Sequence, residues 1–393
     1  MKRKSTPFNI SHSTLDIPHS SPDSQDIISN FENNLFSVLK TYPRGTGFLA
    51  AVSGGADSMA MLASLYSLSK QPDFCFKIAA AHVEHGIRPA EESLADADFV
   101  SDFCKANGIE RHIKHIPQGK AAAYARRKGC GIEAAARFFR HRALFKTAAA
   151  LGENTVILFA HTKDDLLETA LMRILRGSGP SGLAGMRITN EELRINIKRI
   201  CRPILAMSRN DVISYLKAKE IVWREDSTNT DEKFLRNRIR RRLAPLLNEF
   251  FPAWKKGIAS LAETQSLAAD FIVSEASSRI EWKKMNNEEL SVSFSTPYFL
   301  ITNEINFFNQ PQIIREEAVF TGINKLFSSK NNIPKKTLKR SVIRRFCAGE
   351  ITSADLGSVK LSRGNEEVCV TRAGEEFFEQ GISRLISCRN VDL

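Results

Sequence analysis

The chain is predicted to be α/β: a mostly parallel, doubly wound sheet, followed by a helical domain and a small C-terminal α+β appendage. Three observations carry this prediction. Between residues 48 and 176, short apolar runs of strand length alternate with longer runs of helical period. The turn Ser53-Gly54-Gly55-Ala56-Asp57-Ser58 joins the first such strand to the first helix. From Arg236 to about residue 330 the chain reads as largely helical, with breaks at Pro245 and Pro252.

The first thirty residues begin basic, contain no apolar stretch, and are rich in Ser, Pro, His and Asp. That composition reads as a flexible tail over residues 1–30 and argues against a secretory leader. A leading helix is expected over residues 31–42. Strands are expected at Phe48–Val52, Lys77–Val83, Arg111–Ile116 and Thr155–Ala160, and helices at Ser58–Lys70, Glu91–Asn107, Ile132–Ala150 and Asp164–Arg176. Ligands of such sheets bind beyond the carboxyl ends of the strands. The loop after Val52, the His82–Arg88 turn and the loop starting at His161 therefore belong on one edge. Arg199–Leu205 reads as a strand with Pro203 at an edge, and Ser208-Arg209-Asn210-Asp211 as the cap of a helix over Val212–Lys219. Beyond residue 331 come a basic helix-like run and two short strands, Ser358–Ser362 and Glu367–Thr371. The expected divisions after the tail are 31–240, 241–330 and 331–393.

Across 393 residues, 56 Lys and Arg against 44 Asp and Glu leave a net charge of +12. Such an excess suits a polyanionic partner, nucleic acid above all. Its clustering strengthens the reading: Arg236, Arg238, Arg240, Arg241 and Arg242 crowd one stretch, and Lys335, Lys336, Lys339, Arg340, Arg344 and Arg345 another. The apolar runs are far too short to span a membrane. Seven scattered cysteines with no C-x-x-C pair point to free thiols in a reducing cytoplasm and away from cluster ligation.

Chemistry concentrates in four places. A small-residue turn between strand and helix points backbone N–H groups and the helix dipole at an anion. Asp57 within it calls for a cation between its carboxylate and any phosphate. No G-x-x-x-x-G-K-[ST] string is present, and the turn also suits a plain helix cap. His82 and His85 lack the carboxylates or cysteines of a zinc set; either imidazole suits a nucleotide contact or a polar turn. Glu133 and Arg137, four apart on a helix, form either a surface ion pair or a phosphate grip oriented by the carboxylate. Asp165 and Glu168 put two carboxylates on one face of a helix start, suited to an ammonium, a metal ion or the helix dipole alone.

The strand followed by S-G-G-x-D-S resembles the PP-loop ATP pyrophosphatases. Its order with His82-Val83-Glu84-His85-Gly86-Ile87-Arg88, Gly131-Ile132-Glu133-Ala134-Ala135-Ala136-Arg137 and His161-Thr162-Lys163-Asp164-Asp165-Leu166-Leu167-Glu168-Thr169 is similar to the tRNA(Ile)-lysidine synthetase family. The run from Leu175 to Met186, the segment Glu225-Asp226-Ser227-Thr228-Asn229 and the segment Arg236-Asn237-Arg238-Ile239-Arg240 extend the match, which covers residues 47–247. Thr162, Glu84 and His141 depart from the family pattern without removing a charge that the chemistry needs.

The resemblance implies a PP-loop catalytic domain over 31–240, a tRNA-binding helical domain and a small terminal domain. It implies ATP as co-substrate with Mg²⁺, free lysine, an isoleucine tRNA with the anticodon CAU, and a homodimer. Ser53, Gly54, Gly55, Ala56, Asp57 and Ser58 would hold the pyrophosphate, with Asp57 placing the metal. Arg137 would grip phosphates, and Asp165 and Glu168 would bind the lysine. Arg236, Arg238 and Arg240 would contact tRNA phosphates or close over ATP, and Gly177, Gly179 and Gly182 would form a flap near the reacting base.

Overall fold

The computed structural model describes residues 23–84, 86, 90–185, 200–225, 235–285, 299–327, 339–357, 359–364 and 366–372. The N-terminal part runs α1 (Ser24–Leu39), β1 (Gly47–Ala51), α2 (Ala56–Ser69), β2 (Lys77–Glu84), α3 (Ala90–Ala106), β3 (Glu110–His115), α4 (Lys120–Lys128), α5 (Ile132–Leu151), β4 (Thr155–Phe159), α6 (Lys163–Leu175), α7 (Pro180–Leu183), β5 (Ile200–Cys201) and α8 (Arg209–Ala218). Its five strands are parallel in the order β3-β2-β1-β4-β5. The strand order reverses between β1 and β4, so the loop after β1 lies at the switch point where such sheets take ligands.

The apolar run of β1 is continuous because both faces are covered. Phe48, Ala50 and Val52 enter a core shared with Phe31 and Leu35 of α1, Met59 and Leu62 of α2, and Tyr215 of α8. Leu49 points the other way, with Ala79, Ala81 and Ile157, onto Leu144 and Ala148 of α5. The outer layer is locked by the Phe31 and Tyr215 rings, stacked 4.3 Å apart, and by Tyr215 Oη–H donating to Glu32 at 3.0 Å.

Most expected elements are present within a residue or two, and the differences have local causes. The leading helix begins at Ser24 rather than residue 31, so residues 24–30 are helical, and residues 1–22 lie outside the described residues. The hydrophilic composition of the segment hides Ile28, which packs on the core. Helix α4 lacks an apolar stripe: its buried residues are Ala121 and Ala125, which carry little periodic signal. The strand expected at Arg199–Leu205 shrinks to Ile200–Cys201, because the chain turns at once, with Leu205 N–H donating to Arg202 C=O at 3.2 Å.

The remainder is mostly helical, with a small antiparallel sheet. It comprises α9 (Leu235–Arg238), a π-helical turn (Ile239–Leu243), α10 (Ala244–Phe250), α11 (Trp254–Arg279), β6 (Lys283–Met285), β7 (Phe299–Asn303), α12 (Glu304–Phe308), α13 (Gln312–Phe327), α14 (Arg340–Cys347), β8 (Ser353–Asp355), β9 (Val359–Gly364) and β10 (Glu367–Arg372). The sheet order is β6-β7-β10-β9-β8. The segment 236–330 is largely helical as expected, and it also holds β6 and β7, the latter paired with β10. Ile280, Trp282, Phe307 and Val319 share one core with Phe346, Leu361 and Val370, so packing is continuous across position 330. Pro245, without an N–H for the Arg241 carbonyl, follows directly on the widened π turn.

Candidate active site

The Ser53–Ser58 loop is held from within. Ser53 N–H donates to Ser58 Oγ at 3.1 Å, and Ser58 Oγ donates to Gly55 C=O at 2.9 Å. Gly54 adopts φ +90°, the left-handed region that glycine tolerates. From outside, Arg224 N–H donates to Gly54 C=O at 3.0 Å. Beneath lies His82, buried, its Nδ1–H donating to Val52 C=O at 2.9 Å, and burial lowers its pKa. His82 therefore braces the loop as a neutral imidazole. His85 and Ile87-Arg88 lie outside the described residues.

Gly55 is the N-cap of α2 and supplies no side chain to it. The first intrahelical bond runs from Met59 N–H to Gly55 C=O at 3.0 Å, so the N–H groups ahead of it have no helical acceptor. That is the electrostatic definition of an anion site.

Asp57 stands in this turn with its Oδ1 buried. The cation that its position demands is present in the chain: Arg209 Nη1, at the start of α8, lies 2.5 Å from Asp57 Oδ1 as an ion pair. Burial pushes the Asp57 pKa up, and Arg209 opposes that shift. The Asp165 charge raises it further, and Arg240 lowers it, so the loop and the carboxylate pair lie in one field.

Asp165 and Glu168 are both buried on the first turns of α6. Thr162 and Asp165 form a capping box, in which Thr162 N–H donates to Asp165 Oδ2 at 2.9 Å. This accounts for the threonine at 162: it turns one Asp165 oxygen toward the helix and leaves the other facing the site. Arg236 and Arg240 close on the pair. Arg236 Nη2 and Arg240 Nη2 each lie 3.1 Å from Asp165 Oδ1, Arg236 Nε donates to Glu168 Oε2 at 2.6 Å, and Arg240 Nε donates to Glu168 Oε1. Spaced four apart around α9 and the π turn, the two guanidiniums reach the same carboxylates. Arg238 is exposed instead.

Helix α5 lends a cationic wall. Burial and Arg236 lower the Arg137 pKa, while Glu133 raises it by a smaller effect, and no ion pair joins Glu133 to Arg137. Orientation of Arg137 by Glu133 is thus not seen: no hydrogen bond or ion pair joins them, and of the two neighbouring charges Arg236 acts more strongly than Glu133. The Arg140 Nε is buried without a hydrogen-bond partner, and burial brings that guanidinium down to about 10. Arg202 Nε donates to His161 Nδ1 at 3.2 Å, which places the imidazole proton on Nε2. Burial lowers His161 to about 3 and His141 to about 4, so both are neutral at ordinary pH.

Asp57, Asp165, Glu168, Arg236 and Arg240 therefore converge, with Arg137 beside them, while Arg238 stands apart. The glycine run is tied down by Arg173 Nη1, which donates to Gly182 C=O at 2.5 Å and Gly185 C=O at 3.1 Å. Met186 and residues 226–229 lie outside the described residues. Sequence reasoning passed over Arg209, Arg202 and the protonation state of His161. Each is far in sequence from its partner, and the only local signal was Ser208 capping the helix that Arg209 opens.

Among the described residues no group of three or more His, Cys, Asp or Glu side chains could hold a metal ion. A divalent ion here would rest on Asp57 and take its remaining oxygens from phosphates and water, the usual arrangement for Mg²⁺. The buried Asp57 carboxylate, which faces the Arg209 guanidinium, fits that role as the one anionic oxygen donor in the loop.

Parallel sheet, switch-point loop and uncapped helix N-terminus define an α/β protein with an anion-binding loop at the sheet edge. The family model described as PP-loop domain matches residues 27–247, and the chain belongs to that family. Its curated relatives include the tRNA(Ile)-lysidine synthase of Treponema denticola, 40% identical over 235 residues, covering 60% of this chain and 49% of the relative. That of Solibacter usitatus is 37% identical over 223 residues, covering 56% and 46%. The chain spans about half the length of the curated relatives it matches. A solved U34-tRNA thiolase from Methanococcus maripaludis shares the fold, with a TM-score of 0.51 at 15% identity over 62% of this chain and 80% of that one.

Proposed function

We propose that this chain is a tRNA(Ile)-lysidine synthase, which joins free lysine to C2 of the wobble cytidine of an isoleucine tRNA with the anticodon CAU. The observation that carries the reading is the buried Asp165–Glu168 pair, occupied by two guanidiniums, within the electrostatic field of the phosphate loop. A site that holds two cationic side chains in the free protein is built for a cationic ligand beside an anionic one. The names of the relatives supply the substrate.

The cytidine O2 attacks the α-phosphorus of ATP and pyrophosphate leaves, which turns a poor leaving group into AMP. The lysine ε-amine then attacks C2, AMP departs with O2, and the amine proton passes to a base. In this reading Ser53–Ser58 and the α2 N–H groups receive the pyrophosphate, and Arg137 neutralises it. Mg²⁺ on Asp57 would offset the charge gathering on the leaving group. Asp165 and Glu168 take the lysine ammonium once Arg236 and Arg240 yield to it, and a carboxylate receives the proton. Arg238 and the other exposed cations meet tRNA phosphates. A cytoplasmic enzyme is in keeping with cysteines that are free among the described residues.

The test is incubation with ATP, Mg²⁺, labelled lysine and unmodified isoleucine tRNA bearing CAU. Alkali-stable label at the wobble cytidine is the expected result. Release of AMP on adding tRNA, with no lysine retained, would keep the adenylation chemistry and exclude lysine as nucleophile.

A further inference from the structure

A second cationic feature lies outside the machinery described above. Strand β3, the N-terminal end of α4 and one face of α5 enclose an open groove of about 440 Å³. Lys114, Lys120, Arg142 and Lys146 line it, together with His112 and His115, and no carboxylate does. The imidazoles are engaged, His115 by Glu84 and His112 by Glu110 at 3.0 Å. None of the four permanent cations pairs with a carboxylate among the described residues, and all four are exposed.

The groove also has an aromatic floor. Lys120 Nζ sits 5.4 Å from the centre of the Phe139 ring, which lines the groove and packs edge-on against Tyr124 and Phe138. Tyr124 and Phe138 are stacked 4.9 Å apart beside it, and Phe138 is 42% exposed. A lysine on an edge strand guards against edge pairing, which accounts for Lys114 but not for Lys120, Arg142 and Lys146 on the helices.

Helix α5 links this groove to the active site. Arg137 and His141 lie in the field of the site's Arg202 and His161, while Phe139, Arg142 and Lys146 line the groove. The groove includes His115, Ile116 and Pro117 at the carboxyl end of β3, the same sheet edge as the phosphate loop.

We propose that this groove is a docking track for the sugar–phosphate backbone of the tRNA substrate, at a stretch outside the reacting nucleotide. The inference rests on the reading of the substrate as tRNA. Exposed cations around the half-buried Phe139 ring, with the exposed Phe138 beside it, match a nucleic-acid strand, whose phosphates and base faces alternate at short intervals. Backbone contacts of this kind set register and carry no sequence information.

The test compares the wild-type chain with a Lys120→Gln, Arg142→Gln, Lys146→Gln variant and with a charge-keeping Lys120→Arg, Arg142→Lys, Lys146→Arg variant. Binding of the isoleucine tRNA is measured between ~50 and ~200 mM salt. Melting temperature and ATP affinity serve as controls, because these side chains are exposed and lie away from the phosphate loop. The neutral variant is expected to bind ~10-fold more weakly and to lose ~2 from the slope of log K against log salt. The charge-keeping variant should match wild type. An unchanged slope and affinity in the neutral variant would overturn the docking track and leave the tRNA reading standing. Absence of tRNA binding by the wild type would overturn both.

Discussion

Glu168 receives Nε of two different arginines, one on each carboxylate oxygen, while Asp165 divides its oxygens between Thr162 and the same two guanidiniums. Asp165 and Glu168 against Arg236 and Arg240 sum to zero charge, so the cluster is self-compensated until a ligand enters. A lysine ammonium must displace guanidiniums to bind. Glu168→Gln removes the charge and keeps the shape, at a loss of ~1.5–3 kcal/mol for charge-assisted hydrogen bonds. The KM for lysine is expected to rise ~10-fold or more, with the KM for ATP nearly unchanged, as read by steady-state AMP release at varied lysine. A selective rise in the KM for ATP would instead assign Glu168 to the nucleotide. The sequence made the carboxylate pair legible through its spacing on a helix start. It did not reveal that Arg236 and Arg240 close on that pair, since those contacts span about seventy positions.

Among the elements, the phosphate loop was the most readable, because its geometry is local. Gly54 needs φ +90°, and the nearest atoms to an added Cβ, on Phe99 at 3.6 Å and Val100 at 3.7 Å, are at ordinary contact distance. The strain in Gly54→Ala is therefore in the backbone, at ~1–2 kcal/mol. The melting temperature should fall by a few degrees and ATP binding should weaken, measured by calorimetry and titration. Full ATP affinity in this variant would remove the loop from the phosphate. By contrast α4 escaped notice because alanines bury it, and β6 because a three-residue strand is too short for a periodic signal.

For the whole molecule, the buried neutral imidazoles tie stability to pH. His141 and His161 titrate near 4 and 3 in the fold, against an ordinary value of 6.5. Below that ordinary value the unfolded chain binds protons that the folded chain refuses, so stability is lost as pH falls from ~6.5 toward 4. A drop of ~5 °C or more in melting temperature between pH ~7 and ~5 is expected. His141→Gln with His161→Gln should flatten it, and an equal drop in that double variant would place the pH dependence elsewhere.

Alternating strand and helix runs, the small-residue turn and the order of charged motifs were enough to determine the parallel sheet, the PP-loop family and the residues at its edge. Each of these depends on neighbours within one or two turns of chain, where spacing and side-chain size act directly. Only the tertiary structure decided which charges meet: Arg209 against Asp57, Arg236 and Arg240 against the carboxylates, and four exposed cations around one groove. Coulombic pairing depends on distance in space and on burial, and the order of residues along a chain encodes neither until the chain has folded.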